Sequence, residues 1–322
     1  MSSKILVVGH RNPDNDSIAA AVGYAHLKNA LAARDGEADA VEYVPARLGP
    51  LPVESAWILE QNDIAEPVLI ENVNPVERDG EEVKQKVILV DHNEIGQAAP
   101  GIENADVVEI IDHHRIADVS TANPILFLNL PIGSTATIVT LQFRQTGIEL
   151  PDSIARVLLS AILTDTVIMK SPTCTQRDID VANRMARIAN ISLQALGQVI
   201  FSASGGGAKS AEEIFRTDYK EFHIAGHNLA VSQVTCMDSD QLLQRKGEFL
   251  QLMSSLQKKQ GFDMVILMIT DVLLEGTQLL FVGDRDSIRQ AFNVEDAEDV
   301  VFLPKVMSRK KQVIPMLSAL WG

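Results

Sequence analysis

Apolar and polar positions along this chain follow two alternating periods, and the switches between them mark out its elements. Residues 4–8 form a short apolar run typical of a buried strand. Residues 18–31 repeat their apolar positions at helical spacing, with Asp16 or Ser17 placed to cap that helix. Strands are predicted at 41–44, 68–70, 86–90 and 107–111, with a helix around 54–61. Three further helices are predicted: 134–145, 151–169 and 175–189. The second opens on Pro151, a good first helical residue, and the third has Thr175 and Asp178 at capping-box spacing.

Strands alternating with helices up to about residue 170 predict a parallel sheet wrapped by helices. The pattern breaks around Asn190-Ile191-Ser192, which places a linker at 189–195 between a domain of residues 1–188 and one of residues 196–322. In the second domain a helix runs to Phe201, and a β-hairpin joins 222–225 to 229–234 through Gly226-His227-Asn228. A long amphipathic helix at 238–260, strands at 264–269 and 278–282 and a short helix at 287–292 complete a smaller mixed unit. The expected fold is α/β: an N-terminal parallel-sheet domain and a smaller mixed α/β C-terminal domain.

Three of the predicted strands end in metal-ligating residue types. The first leads into His10, Asp14 and Asp16, the fourth into Asp91-His92-Asn93-Glu94, and the fifth into Asp112-His113-His114. Four of the seven histidines sit at these strand ends, the edge of an open α/β sheet where ligands bind. Mixed imidazole and carboxylate donors suit manganese, cobalt, iron or zinc better than calcium. Asp165 lies in a strongly apolar helix, where an unpaired carboxylate is costly and a cation relieves the cost. Two divalent ions held this way would make a hydroxide available near neutral pH and clamp the oxygens of a phosphoryl group, which is the chemistry of phosphorus ester or anhydride hydrolysis.

Charge narrows the substrate. The chain carries 28 basic and 43 acidic residues, a net charge of −15, which repels nucleic acid and anionic membranes. Carboxylates around two divalent ions leave little positive charge for a polyanion, so an anionic substrate needs a local basic cluster. Lys209, after a triple glycine, and Arg309 and Lys310, in Ser308-Arg309-Lys310-Lys311-Gln312, are the natural suppliers. If both clusters face an interdomain cleft, closure of the domains assembles the active site there. No apolar run approaches the ~20 residues of a membrane span. The start of the chain leads straight into a strand, and its two cysteines make no disulfide framework, so the expected compartment is the cytoplasm.

These segments together resemble the family II inorganic pyrophosphatases, the manganese- or cobalt-preferring branch of the Asp-His-His phosphoesterases. The resemblance rests on Gly9-His10-x3-Asp14-x-Asp16-Ser17, Val90-Asp91-His92-Asn93-Glu94, Asp112-His113-His114, Leu163-Thr164-Asp165-Thr166, the stretch 170–175, Gly207-x-Lys209 and Ser308-Arg309-Lys310-Lys311-Gln312. It implies hydrolysis of pyrophosphate to two phosphates by a metal-bridging hydroxide, in a homodimer formed through the N-terminal domains. It also implies one manganese on His10, Asp14 and Asp91, and a second on Asp16, Asp91, His113 and Asp165. His114 would protonate the leaving phosphate, Lys209, Arg309 and Lys310 would bind its charges, and magnesium would enter with the substrate. Asp112 is expected to orient the histidines that follow it, and His92 has no settled role. Only 21 residues separate Asp91 from Asp112, too few for the regulatory nucleotide-binding insertion of some relatives. The competing readings are an exopolyphosphatase or oligonucleotide phosphodiesterase of the same superfamily, and a metal-dependent binding protein without turnover.

Overall fold

The computed structural model describes residues 3–78, 80–204, 210–236, 239–295 and 298–322; Lys209 lies outside them. Compact packing divides the chain into two units, Met1–Met169 with Cys174–Ile200, and Lys170–Thr173 with Phe201–Gly322.

The first unit runs β1 (Ser3–Arg11), α1 (Asn15–Arg34), β2 (Val41–Leu48), α2 (Val53–Glu60), β3 (Val68–Leu69), β4 (Val76–Arg78), β5 (Glu81–Val83), β6 (Lys86–Val90), β7 (Asp106–Asp112) and β8 (Leu126–Asn129). Helices α3 (Thr135–Thr146), α4 (Asp152–Asp165), α5 (Gln176–Ile188) and α6 (Leu193–Ser204) follow. Six strands form one sheet in the order β3-β2-β1-β6-β7-β8, every pair parallel, while β4 and β5 make a separate hairpin.

Alternation along the central strands buries both faces of this sheet, which is why their sequences are almost continuously apolar. Val7, Ile88, Val90 and Ile111 pack under the helices, whereas Val8, Leu89 and Ile110 pack against Val73, Ala98, Ala99 and Ile102 from short connecting turns. The helical layer thus lies on one face, not around the sheet. Each such buried aliphatic side chain contributes about 1.5–3 kcal/mol. Helices α1 and α4 approach closely at Gly23, where a Cβ would meet Leu158 Cδ2 at 2.7 Å.

Several local expectations are corrected. Strand β1 continues past its apolar run to Arg11, which pairs with Leu48, so His10 stands on the strand and not in a following loop. Helix α1 is capped by Asp14, whose carboxylate accepts from the Ser17 amide, and Asp16 falls inside its first turn. Helix α4 stops at Asp165 because Val167, Ile168 and Met169 all have left-handed φ, of 50°, 50° and 64°. Left-handed backbone costs L-residues roughly 1–2 kcal/mol each. The apolar sequence continues unbroken through this turn, so periodicity alone reads it as helix. The segment 189–192 is the turn between α5 and α6, and the change of unit falls at Ile200 and Phe201, because Leu196 and Ile200 are buried in the first unit's core.

The second unit contains α7 (Ala211–Arg216), β9 (Tyr219–Ile224), β10 (His227–Cys236), α8 (Ser239–Leu243), α9 (Lys246–Gln260), β11 (Met264–Asp271), β12 (Gly276–Val282), α10 (Arg285–Phe292), β13 (Val300–Pro304), a π-helical turn over Arg309–Val313 and α11 (Ile314–Trp321). Its sheet has the order β13-β12-β11-β10-β9 and is mixed: β10 and β11 pair in parallel, and the other pairs are antiparallel. The expected hairpin is β9–β10, turning at Ala225 and Gly226 with φ of 49° and 88°, as a tight primed turn requires. The single helix expected over 238–260 is two helices, α8 and α9. Among the described residues no helix is long and apolar enough to cross a membrane.

Candidate metal centre

Strands β1, β6 and β7 are adjacent and parallel, so their C-terminal ends lie side by side and bring His10, Asp91 and the Asp112-His113-His114 segment together. At β1 the packing leaves no slack. A Cβ on Gly9 would stand 1.9 Å from Ser17 Oγ, which accepts a hydrogen bond from the His10 amide at 2.9 Å. Just beyond β6, Asp91 adopts φ = 63° while its amide still bonds Ile111 O at 2.9 Å. A carboxylate residue is thereby held at the sheet edge in left-handed backbone, which Asp adopts more readily than most non-glycine residues.

Six of the residues expected to bind metal converge. His10, Asp14 and Asp91 form one group of mutually close donors and Asp16, His113 and Asp165 a second; a third joins Asp91 to His113 and His114, the donor atoms within each group lying within 4.8 Å of one another. His10 Nε2 is 3.3 Å from Asp14 Oδ2 and 3.5 Å from Asp91 Oδ2. His113 Nε2 is 3.4 Å from Asp91 Oδ1 and 3.8 Å from Asp165 Oδ2.

The histidines are oriented alike. Nδ1 of His10 donates to Arg11 O, that of His113 to Ile132 O and that of His92 to Val90 O, all at 2.9–3.0 Å. Because a carbonyl only accepts, each ring carries its proton on Nδ1 and in the neutral form presents an Nε2 lone pair. For His10 and His113 that lone pair faces carboxylate oxygens, an arrangement that repels unless a cation stands between them. Asp91 Oδ2, fully buried, has no hydrogen-bond partner among the described residues. Burial, reinforced by the charges of Asp16, Asp14, Asp165 and Asp112, pushes the Asp91 carboxyl well above the usual carboxylate range. Burial also raises Asp16, partly offset by His113. Converging lone pairs, an orphaned buried oxygen and mixed N/O donors fit divalent transition metals. His92 is close by, but burial lowers its pKa to about 4 and it belongs to none of the three donor groups.

Asp112 orients the ring of one of the two histidines after it, His114, and holds only the backbone of the other, His113, whose ring is fixed by Ile132 O. Its Oδ1 accepts from the amides of His113 and His114 at 2.7 and 3.0 Å and from His114 Nδ1 at 2.9 Å. Burial alone would raise Asp112, but these bonds, the His114 charge and a bond from Asn93 hold it below the usual range, so it is ionised beside His114. Asn93 had no predicted role, yet its amide nitrogen donates to Asp112 Oδ2 and Arg115 O and its Oδ1 accepts from Ala117 N, tying the loop after β7 in place. Asp165 ends α4 and is half-buried rather than enclosed, its side chain 21% exposed.

In the second unit the guanidinium of Arg309 is buried. It donates to Asp218 Oδ1 at 2.7 Å, Asp218 O at 2.5 Å and Val231 O at 3.3 Å, whereas Lys310 is exposed.

Residues 4–162 match the DHH family N-terminal domain, and residues 203–320 the DHHA2 domain. Over 323 residues, 99% of each chain, the protein is 38% identical to the manganese-dependent inorganic pyrophosphatase of Methanothrix thermoacetophila. The chain belongs to the family II inorganic pyrophosphatases. A relative of the same family assignment in Archaeoglobus fulgidus is 39% identical over 324 residues, covering 98% of each chain. The crystal structure of a Methanococcus jannaschii chain assigned to the family II inorganic pyrophosphatases superposes with a TM-score of 0.80 at 36% identity, covering 98% of this chain and 99% of that one. The parallel N-terminal sheet and smaller mixed C-terminal sheet are therefore the fold of a family II pyrophosphatase.

Proposed function

We propose that this protein hydrolyses inorganic pyrophosphate to two orthophosphates in a manganese-dependent reaction. The observation that carries the reading is the convergence of His10, Asp14, Asp16, Asp91, His113 and Asp165 into overlapping donor groups, in a chain related to manganese-dependent pyrophosphatases along its whole length. His10, Asp14 and Asp91 would hold one manganese and Asp16, Asp91, His113 and Asp165 the other, with cobalt able to substitute and magnesium entering with the substrate. When bound, such a pair supplies Lewis acidity and a water made acidic enough to attack near neutral pH.

The chain's own residues do the rest. Asp91 lies between both donor groups and sets their spacing. Ionised Asp112 fixes the His114 ring and stabilises its protonated form, so that His114 gives its proton to the departing phosphate. Lys209, Arg309 and Lys310 bind the phosphate charges, the lysines as point charges and Arg309 by exchanging its bonds to Asp218 for the phosphate. The protein acts as a homodimer, a reading supported by β8, an edge strand whose Leu126 and Phe127 are exposed. It works in the cytoplasm, where its two free cysteines stay reduced.

The test is phosphate release from pyrophosphate by metal-stripped protein, with magnesium alone and then with added manganese, beside a short polyphosphate and a dinucleotide. Strong manganese activation confined to pyrophosphate is expected. Turnover of polyphosphate or dinucleotide without turnover of pyrophosphate would move the protein to a sibling phosphoesterase activity, and silence on all three would leave a metal-binding protein.

A further inference from the structure

The two most buried carboxylates of the donor groups, Asp16 and Asp91, are held from one place, the first turn of α3. Ser134 Oγ and the Ala136 amide donate to Asp16 Oδ1 at 2.8 and 2.9 Å, and the Thr135 amide donates to Asp16 Oδ2 at 2.6 Å. The Thr135 hydroxyl donates to Asp91 Oδ1 at 2.9 Å. All of these groups are buried, and they are separated from Asp16 and Asp91 by 44 to 120 positions in the chain.

The turn is itself locked by a second buried carboxylate. Asp178 accepts from Gly133 N at 2.8 Å and Thr137 Oγ1 at 2.7 Å on one side, and from the amide and hydroxyl of Thr175 at 2.8 and 2.6 Å on the other. A Cβ on Gly133 would lie 3.0 Å from Asp178 Oδ2, so the approach is as close as the backbone permits.

We infer that Thr135 is a positioning residue for the metal centre: its hydroxyl fixes the rotation of the Asp91 carboxylate and so sets which oxygen each donor group receives. This inference rests on the manganese reading above. A carboxylate shared by two donor groups serves both only at one torsion. With Oδ1 pinned by Thr135, Oδ1 faces His113 and His114, and Oδ2, which carries no hydrogen bond, faces His10. The same turn places helix N-terminal amides and a hydroxyl dipole beside Asp16 and Asp91, which offsets the repulsion between two buried carboxylates before any cation arrives. Loss of the hydroxyl frees the Asp91 torsion and removes a positive dipole end from between the pair. Groups that orient metal ligands in this way are worth about 10–100-fold in metal affinity.

Manganese is titrated calorimetrically into metal-stripped, full-length wild type, T135V and T135S, with circular dichroism and melting of each stripped protein alongside. T135V, close to Thr in shape, is expected to weaken manganese binding by about tenfold or more at unchanged circular dichroism, and T135S to bind within a few-fold of wild type. A purely structural Thr135 would lower the melting temperature without moving the manganese affinity, and T135V binding manganese as wild type does overturns the inference. If T135V loses its native circular dichroism, T135A is titrated in its place with the same expectation and the same overturning result. A wild type that itself fails to bind manganese overturns the functional reading, and this inference with it.

Discussion

Ser17 Oγ occupies the space where a side chain on Gly9 would begin, 1.9 Å from the position of its Cβ, and from there accepts the His10 amide hydrogen. The end of β1 and the start of α1 are thus one packed unit carrying three of the expected metal ligands. Gly9→Ala should push Ser17 and the first turn of α1 outward, with Asp14 and Asp16 on it. The expected result is an overpacking cost of about 1–3 kcal/mol in urea denaturation, together with a drop in manganese affinity. Wild-type manganese binding in G9A would show that the turn yields without moving the ligands.

Asp91 should trade stability for activity. Its carboxylate is buried, faces four other acidic residues and is raised well above the usual range, so its charge strains the metal-free protein. Asp91→Asn is expected to abolish manganese-dependent phosphate release while raising the melting temperature of the stripped protein, by about 2–4 °C for each kcal/mol relieved. The stabilisation that manganese gives wild type should disappear. A stripped D91N that melts below stripped wild type would contradict this account of Asp91.

The pH dependence of stability follows from the same groups. Asp16 and Asp91 titrate above the ordinary carboxylate value of 3.8 in the folded, metal-free protein, so the folded chain keeps protons that the unfolded chain has released. Their contribution to stability is fully present in acid below the ordinary value and is lost as pH rises through the raised values. Manganese replaces those protons, so its effect strengthens with pH. The gap in melting temperature between manganese-loaded and stripped protein should be wider at about pH 8 than at about pH 6; a gap that narrows would refute the linkage.

Arg309 and Lys310 should separate when substituted, although they are neighbours in one basic cluster. Arg309 is buried, and its removal leaves Asp218 and Val231 acceptors unpaired, at about 1–3 kcal/mol. Arg309→Ala is therefore expected to lower the urea midpoint as well as raise KM for pyrophosphate. Lys310 is exposed, and Lys310→Ala should raise KM with a stability change within about 0.5 kcal/mol. Equal midpoints for the two variants would mean that the Asp218 contact contributes nothing.

Most of the strands, the two-part α/β architecture and the six converging donor residues were legible in the sequence for a local reason, whereas the edge strands β8 and β13 and the hairpin β4–β5 were not. A parallel strand buried on both faces must be an apolar run, and the first polar residues after it lie at the sheet edge where ligands gather. His10, Asp91 and His113 could be placed there without knowing how the strands were ordered. What tertiary structure decided was everything carried by contacts between distant segments. Asp16 looked like a helix cap because its own neighbourhood favours one, but the first turn of α3, nearly 120 positions away, holds its carboxylate, and Asp14 caps α1 instead. The apolar stretch after Asp165 read as more helix, whereas the chain turns left-handed there. Arg309 read as one member of a basic cluster alike in its charges, yet folding buries it against Asp218 and leaves Lys310 exposed. A sequence states which groups are able to bind a metal; which hydroxyl, amide or carboxylate holds each of them at its working angle depends on three-dimensional packing, because those partners share no local pattern with the residues they orient.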